Sequence, residues 1–174
     1  MIFKNLPNDS SVVNALGVYH PYRSGTNPNF DDYSRNILNL KNGYQIGLDY
    51  FYELLDKELG EGFAIAAVPS HNPESATNGI KKLAQMLCRG HDRIDAISCL
   101  VRHTLTTKSA TTNVRNIQKH LVSIRVDSKH LIVGKDVLLL DDVTTSHSSL
   151  LACKQLLMQA GAKLVIPFAL AQTA

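Results

Sequence analysis

The chain has 174 residues, enough for one domain with a sizeable core, and 44% hydrophobic against 19% charged residues excludes a disordered polypeptide. Its net charge of +3 is scattered without a basic run or stripe, so nucleic acid is not indicated as a partner. No apolar run is long enough to span a bilayer, which points to no membrane partner. Cys88, Cys99 and Cys153 match no zinc or disulfide spacing, and each lies in an apolar stretch as a small hydrophobe. Free thiols, with a start (Met1-Ile2-Phe3-Lys4-Asn5) unlike a secretory signal, point to the cytoplasm.

Residues 20–36, with Pro21, Gly25, Pro28, Asp31 and Asp32, read as a loop. Leu48, Phe51, Tyr52, Leu55 and Leu59 recur on one helical face, and Gly60 and Gly62 stop that helix. Phe63 to Val68 is apolar throughout and ends at Pro69, as a strand buried on both faces of a parallel sheet does. Ile80, Leu83, Ala84 and Leu87 mark a second helix ending near Gly90. Residues 96–101 read as a second strand. Residues 102–120 form a polar stretch read as partly mobile, and residues 122–126 as a further strand. Val137 to Leu140 is the clearest central strand. Leu150, Cys153, Leu157 and Ala160 mark a helix capped by Gly161, and residues 164–170 a last strand. His20, His91, His120 and His130 show no metal spacing and read as surface histidines. This alternation predicts an α/β fold with an open, mainly parallel sheet flanked by helices, as a single domain over residues 1–174.

In such sheets ligands bind beyond the carboxyl ends of the strands. After the strand 137–140 come Asp141 and Asp142, then Val143, Thr144, Thr145, Ser146, His147, Ser148 and Ser149, then a helix. A helix start offers free N–H groups and partial positive charge to a phosphate, and the hydroxyls add donors. The carboxylates repel a phosphate but accept hydrogen bonds from sugar hydroxyls. Together they point to a sugar phosphate. The plainer alternative makes Asp142 a helix cap and the hydroxyls solvated turn residues.

The same segment resembles the loop of type I phosphoribosyltransferases that binds phosphoribosyl diphosphate (PRPP), Asp-Asp-x-x-Thr-Thr-Gly-x-Thr. Asp141, Asp142 and Thr145 match, Ser146 and Ser149 are hydroxyl replacements, and His147 stands at the glycine. From about residue 35 onward the chain is similar to the ComF/GntX-like, amidophosphoribosyltransferase-like branch. Ile37-Leu38-Asn39-Leu40-Lys41 resembles an early hydrophobic stretch ending in lysine, and Val68-Pro69 a strand-ending Val-Pro before the diphosphate loop. Asn78, Leu83 and Ala84 fit a helix start, Gly134-Lys135-Asp136-Val137 the approach to the PRPP strand, and Ala160-Gly161-Ala162 and Leu170-Ala171 the closing pattern.

The resemblance implies Mg2+-dependent transfer of a 5-phosphoribosyl group to an unidentified nitrogen nucleophile with release of diphosphate. The ligand would be PRPP or ribose 5-phosphate, with Mg2+ held mainly through it and no metal ligands assigned to the protein. Asp141 and Asp142 would face the sugar, and residues 143–149 the 5-phosphate. Ser70 and His71 would stand at the diphosphate loop. Arg102 and Arg115, with Lys108 as a weaker candidate, would close on the leaving group from a mobile segment. Residues 1–60 would supply any hood over the acceptor, and a homo-oligomer is compatible with the chain. The family's N-terminal cysteine pairs are absent, and Ser75 and Ser109 stand near its arginine and glutamine positions. These departures, with His147, keep open a non-catalytic PRPP- or nucleotide-sensing module, or a ComF-like accessory factor.

Overall fold

The computed structural model describes residues 1–70, 78–104 and 113–174, with side chains described from 117 in the last stretch. Five parallel strands form one sheet in the order β1-β7-β6-β2-β3: β1 (Asn14–Tyr19), β2 (Phe63–Ala67), β3 (Arg93–Asp95), β6 (Asp136–Thr144) and β7 (Leu164–Thr173). β4 (Leu100–Arg102) and β5 (Ile124–Val126) form a separate antiparallel pair. Among the described residues, no helix is long and apolar enough to cross a membrane.

The apolar runs behave as two-sided strands. Ile65, Ala67, Leu138, Leu140, Ile166 and Phe168 face one core with helices α1 (Asp32–Lys41), α2 (Gln45–Asp56) and α3 (Gly79–Cys88). Ala64, Ala66, Val137, Leu139, Val165 and Ala169 face the other, with Leu150, Cys153 and Leu157 of α5 (Ser148–Gln159). Alternate side chains point to opposite faces, so a continuous hydrophobic strand fills both layers. Cys99 and Cys153 are buried and Cys88 half-buried, all as free thiols.

The structure departs from the expected elements at definite places. β1 lies in a stretch with no strand signal, because it is an edge strand whose exposed positions break the apolar run. α1 starts inside the expected loop: Asp31 caps it by accepting from the Ser34 amide at 2.8 Å. Residues 96–101 do not form one strand. Ile97 N–H binds the Asp95 carboxylate in a turn, and only Leu100 and Val101 enter β4. Helix α4 (Asn113–Ser123) occupies the end of the polar stretch. His120 is buried rather than on the surface, and His91 is held between Asp56 and Glu61.

Candidate functional site

β2 runs through α3 to β3 at one edge, whereas β6 runs through α5 to β7 on the other side. The chain therefore reverses its direction of winding between β2 and β6, and the crevice at their carboxyl ends is where open α/β sheets take ligands. A cleft of about 500 Å³ lies there. Its walls come from Tyr19 and Pro21 after β1, Lys41 ending α1, residues 68–70 after β2 and 78–80 at the start of α3. Arg102, Asp141, Asp142, Val143, Thr145, Ser149 and Thr173 complete them.

The two carboxylates differ. Asp141 accepts from the Asp142 amide at 2.9 Å and from the Ser149 hydroxyl at 3.3 Å. Asp142 accepts from the Val143 amide at 2.5 Å and pairs with the Lys41 ammonium at 2.8 Å. Burial first, then the charge of Asp142, push the Asp141 carboxyl up to about 8, against the opposing pull of Lys41 and its own hydrogen bonds. Asp142 is the ion-paired member of the two. Asp142 is not a helix cap, since the N-cap of α5 is His147.

The hydroxyl-rich turn leaves backbone donors open at the start of α5. Leu151 N–H is bonded to the His147 carbonyl at 2.9 Å, so the amides of 148, 149 and 150 precede the first intrahelical bonds. No side chain caps this start among the described residues, and its first turn holds no acidic residue. Ser146 and Ser148 share a hydroxyl bond at 3.0 Å, and Thr144 is buried beneath, accepting from the His147 amide at 3.2 Å. The turn is braced by β7. Thr145 and Thr173 hydroxyls meet at 2.8 Å, and the Gln172 amide donates to the Thr145 carbonyl at 3.2 Å.

His147 has φ +61°, the left-handed conformation that glycine adopts most freely and that histidine visits more than most residues. Its Nε2 lies 2.6 Å from the Gln172 side-chain oxygen. An amide oxygen only accepts, so Nε2 carries the proton and the ring turns toward β7.

Arg102 lines the cleft from β4, not from a mobile loop. It is 4% exposed, and its guanidinium donates to the Ser70 carbonyl at 2.7 Å and the Ser123 hydroxyl at 2.7 Å, and lies 3.3 Å from His120 Nδ1. Burial lowers its pKa. The structure thus gathers Asp141, Asp142, Val143, Thr145, Ser149, Ser70 and Arg102 in one cleft. Thr144, Ser146, His147 and Ser148 belong to the turn from which Thr145 and Ser149 line it. His71, Lys108, Ser75 and Ser109 lie outside the described residues, as does the side chain of Arg115. Lys41, Tyr19, Pro21 and Thr173 also face the cleft, outside the site residues expected from the sequence. Of these only Lys41 carried a signal, as the lysine ending a hydrophobic stretch. No family model matches the chain, and no curated protein matches it.

Proposed function

We propose that the protein binds PRPP in this cleft and belongs to the type I phosphoribosyltransferase-like proteins, acting in the cytoplasm. One observation carries the reading: the paired carboxylates Asp141 and Asp142 and the uncapped start of α5 share a single cleft at the reversal point of the sheet. The 5-phosphate takes the amides of 148–150 and the hydroxyls of Thr145, Ser146 and Ser149. The ribose hydroxyls donate to the two carboxylates. Mg2+ would enter with the ligand, bound to its diphosphate oxygens and water, the oxygen ligands it prefers.

In the transferase reading the bond from C1 to the diphosphate oxygen breaks and a bond from C1 to the acceptor nitrogen forms. Diphosphate leaves with the bonding electrons, and the acceptor's proton passes to solvent or diphosphate. Positive charge gathering on the sugar ring would face Asp142, the partner of the Lys41 ammonium at 2.8 Å. A second reading, a non-catalytic PRPP sensor or ComF-like accessory factor, draws support from Arg102, whose guanidinium is engaged by Ser70, Ser123 and His120.

Calorimetric titration with PRPP or ribose 5-phosphate in the presence of Mg2+ tests the ligand. Saturable binding is the expected outcome, and no heat at millimolar ligand would falsify it. Diphosphate release from PRPP with a panel of amines then separates transferase from sensor.

A further inference from the structure

Lys41 owes its place to the packing of backbones. A Cβ on Gly79 would fall 1.8 Å from the Leu40 carbonyl oxygen, and one on Gly47 would fall 2.4 Å from the Leu40 amide nitrogen. The last turn of α1 is therefore clamped between the starts of α2 and α3. The next residue, Lys41, reaches the cleft from a fixed origin, at the helix end that favours a cation. Its side chain is 36% exposed and that of its partner Asp142 is 24% exposed. An ion pair so open to water is weak and readily exchanged.

Resting on the reading above, a ligand held by its 5-phosphate at α5 lays its sugar hydroxyls on Asp142, whose Oδ1 now takes both the Val143 amide and Lys41, and loosens the hold of that carboxylate on Lys41. The released ammonium stays in the cleft beside residues 68–70 and 78–80. No acidic residue stands among those six. That is the side on which a substituent at C1 would lie, beyond the carboxylates from the phosphate cradle. We propose that Lys41 is a specificity-determining residue: a displaceable counter-ion of Asp142 that passes to the diphosphate on C1 and selects PRPP over ribose 5-phosphate.

The test is the affinity of wild type and Lys41→Met for PRPP, ribose 5-phosphate and inorganic diphosphate, each with Mg2+. Losing a charge-assisted bond should weaken PRPP and inorganic diphosphate by about tenfold or more, with ribose 5-phosphate changed less than about threefold. Lys41→Arg should restore most of the preference. Equal weakening of both sugar phosphates, or no weakening of either, overturns the proposal. If Lys41→Met fails to fold, Lys41→Gln, which keeps a polar head for Asp142, is read the same way. If wild type binds neither sugar phosphate, the functional reading fails by itself. Inorganic diphosphate still decides on Lys41, whose role is lost if that anion does not bind or binds the variant equally well.

Discussion

The carboxyl of Asp141 is half-buried beside that of Asp142, and burial with that neighbouring charge pushes it up to about 8. The unfolded chain releases the same proton near ~4. Between those values the folded state binds more protons than the unfolded one, so this group makes stability fall as pH rises from about 4 to about 8, and level off above. Asp141→Asn removes the titration while keeping an oxygen for the Asp142 amide. The variant should melt higher than wild type at about pH 9, with a flatter pH dependence, yet bind ribose 5-phosphate at least about tenfold more weakly. A variant that melts lower at every pH would show that the core needs the carboxylate. His147 poses the opposite case. Glycine relieves a left-handed backbone worth ~1–2 kcal/mol, but forfeits the Gln172 bond and adds chain entropy of ~0.5–1 kcal/mol. His147→Gly should therefore shift stability by no more than about 1 kcal/mol. It should leave ribose 5-phosphate affinity within about threefold, equally at pH 6 and pH 8 once the phosphate's own titration is subtracted. A pH-dependent loss confined to wild type would make the imidazole a ligand group.

At the scale of elements, Arg102 is a joint. Its one guanidinium links the segment after β2, through Ser70, to Ser123 and His120 at the end of α4, while its backbone pairs β4 with β5. Arg102→Met leaves the Ser70 carbonyl and the Ser123 hydroxyl without this donor. It should cost about 2–4 kcal/mol and speed amide exchange in β5, measurable by denaturation and hydrogen exchange. Unchanged stability with lost ligand binding would instead give Arg102 a direct role at the ligand. Arg102 also shows where the sequence misleads. It heads a polar stretch and so reads as a loop cation, but its burial depends on α4 folding back against it, a tertiary fact with no local trace. The central elements were legible because they are extreme. Val137 to Leu140 and Phe63 to Val68 are buried on both faces and need unbroken apolar runs. β1 and α1 were not, since one is a half-exposed edge and the other begins among Asp and Tyr residues whose capping role appears only in the fold. At the site, Asp141 and the turn 143–149 announced themselves by residue type. Tyr19, Pro21 and Thr173 line the cleft only because β1 and β7 end at the same rim.

Across the whole molecule, a second polar anchor sits at the end of the sheet away from the cleft that Arg102 lines. At the amino end Arg93, its side chain 1% exposed, pairs with Asp56 at 2.5 Å and donates to the carbonyls of Leu87, Leu59 and Gly60. It thereby joins the start of β3 to the ends of α2 and α3. Arg93→Ala should cost about 3–5 kcal/mol, because it strands several buried acceptors. The affinity of the protein that remains folded should be unchanged. Thermal melts and titration on one preparation check both, and a parallel loss of affinity would mean that the two ends are coupled.

The pairing of β1 with β7 carries a kinetic consequence. Asn14 lies opposite Phe168, and the Ala174 amide bonds to the Tyr19 carbonyl at 3.0 Å. The first strand thus waits through about 150 residues of synthesis for its neighbour, a contact of very high order. Until β7 arrives, β1 has no described strand partner, and the turn 144–147 lacks the braces that Gln172 and Thr173 provide. Ligand competence should therefore appear last in refolding, together with the final strand rather than with the β2–β6 core. A saturating sugar phosphate should then slow unfolding more than it speeds folding.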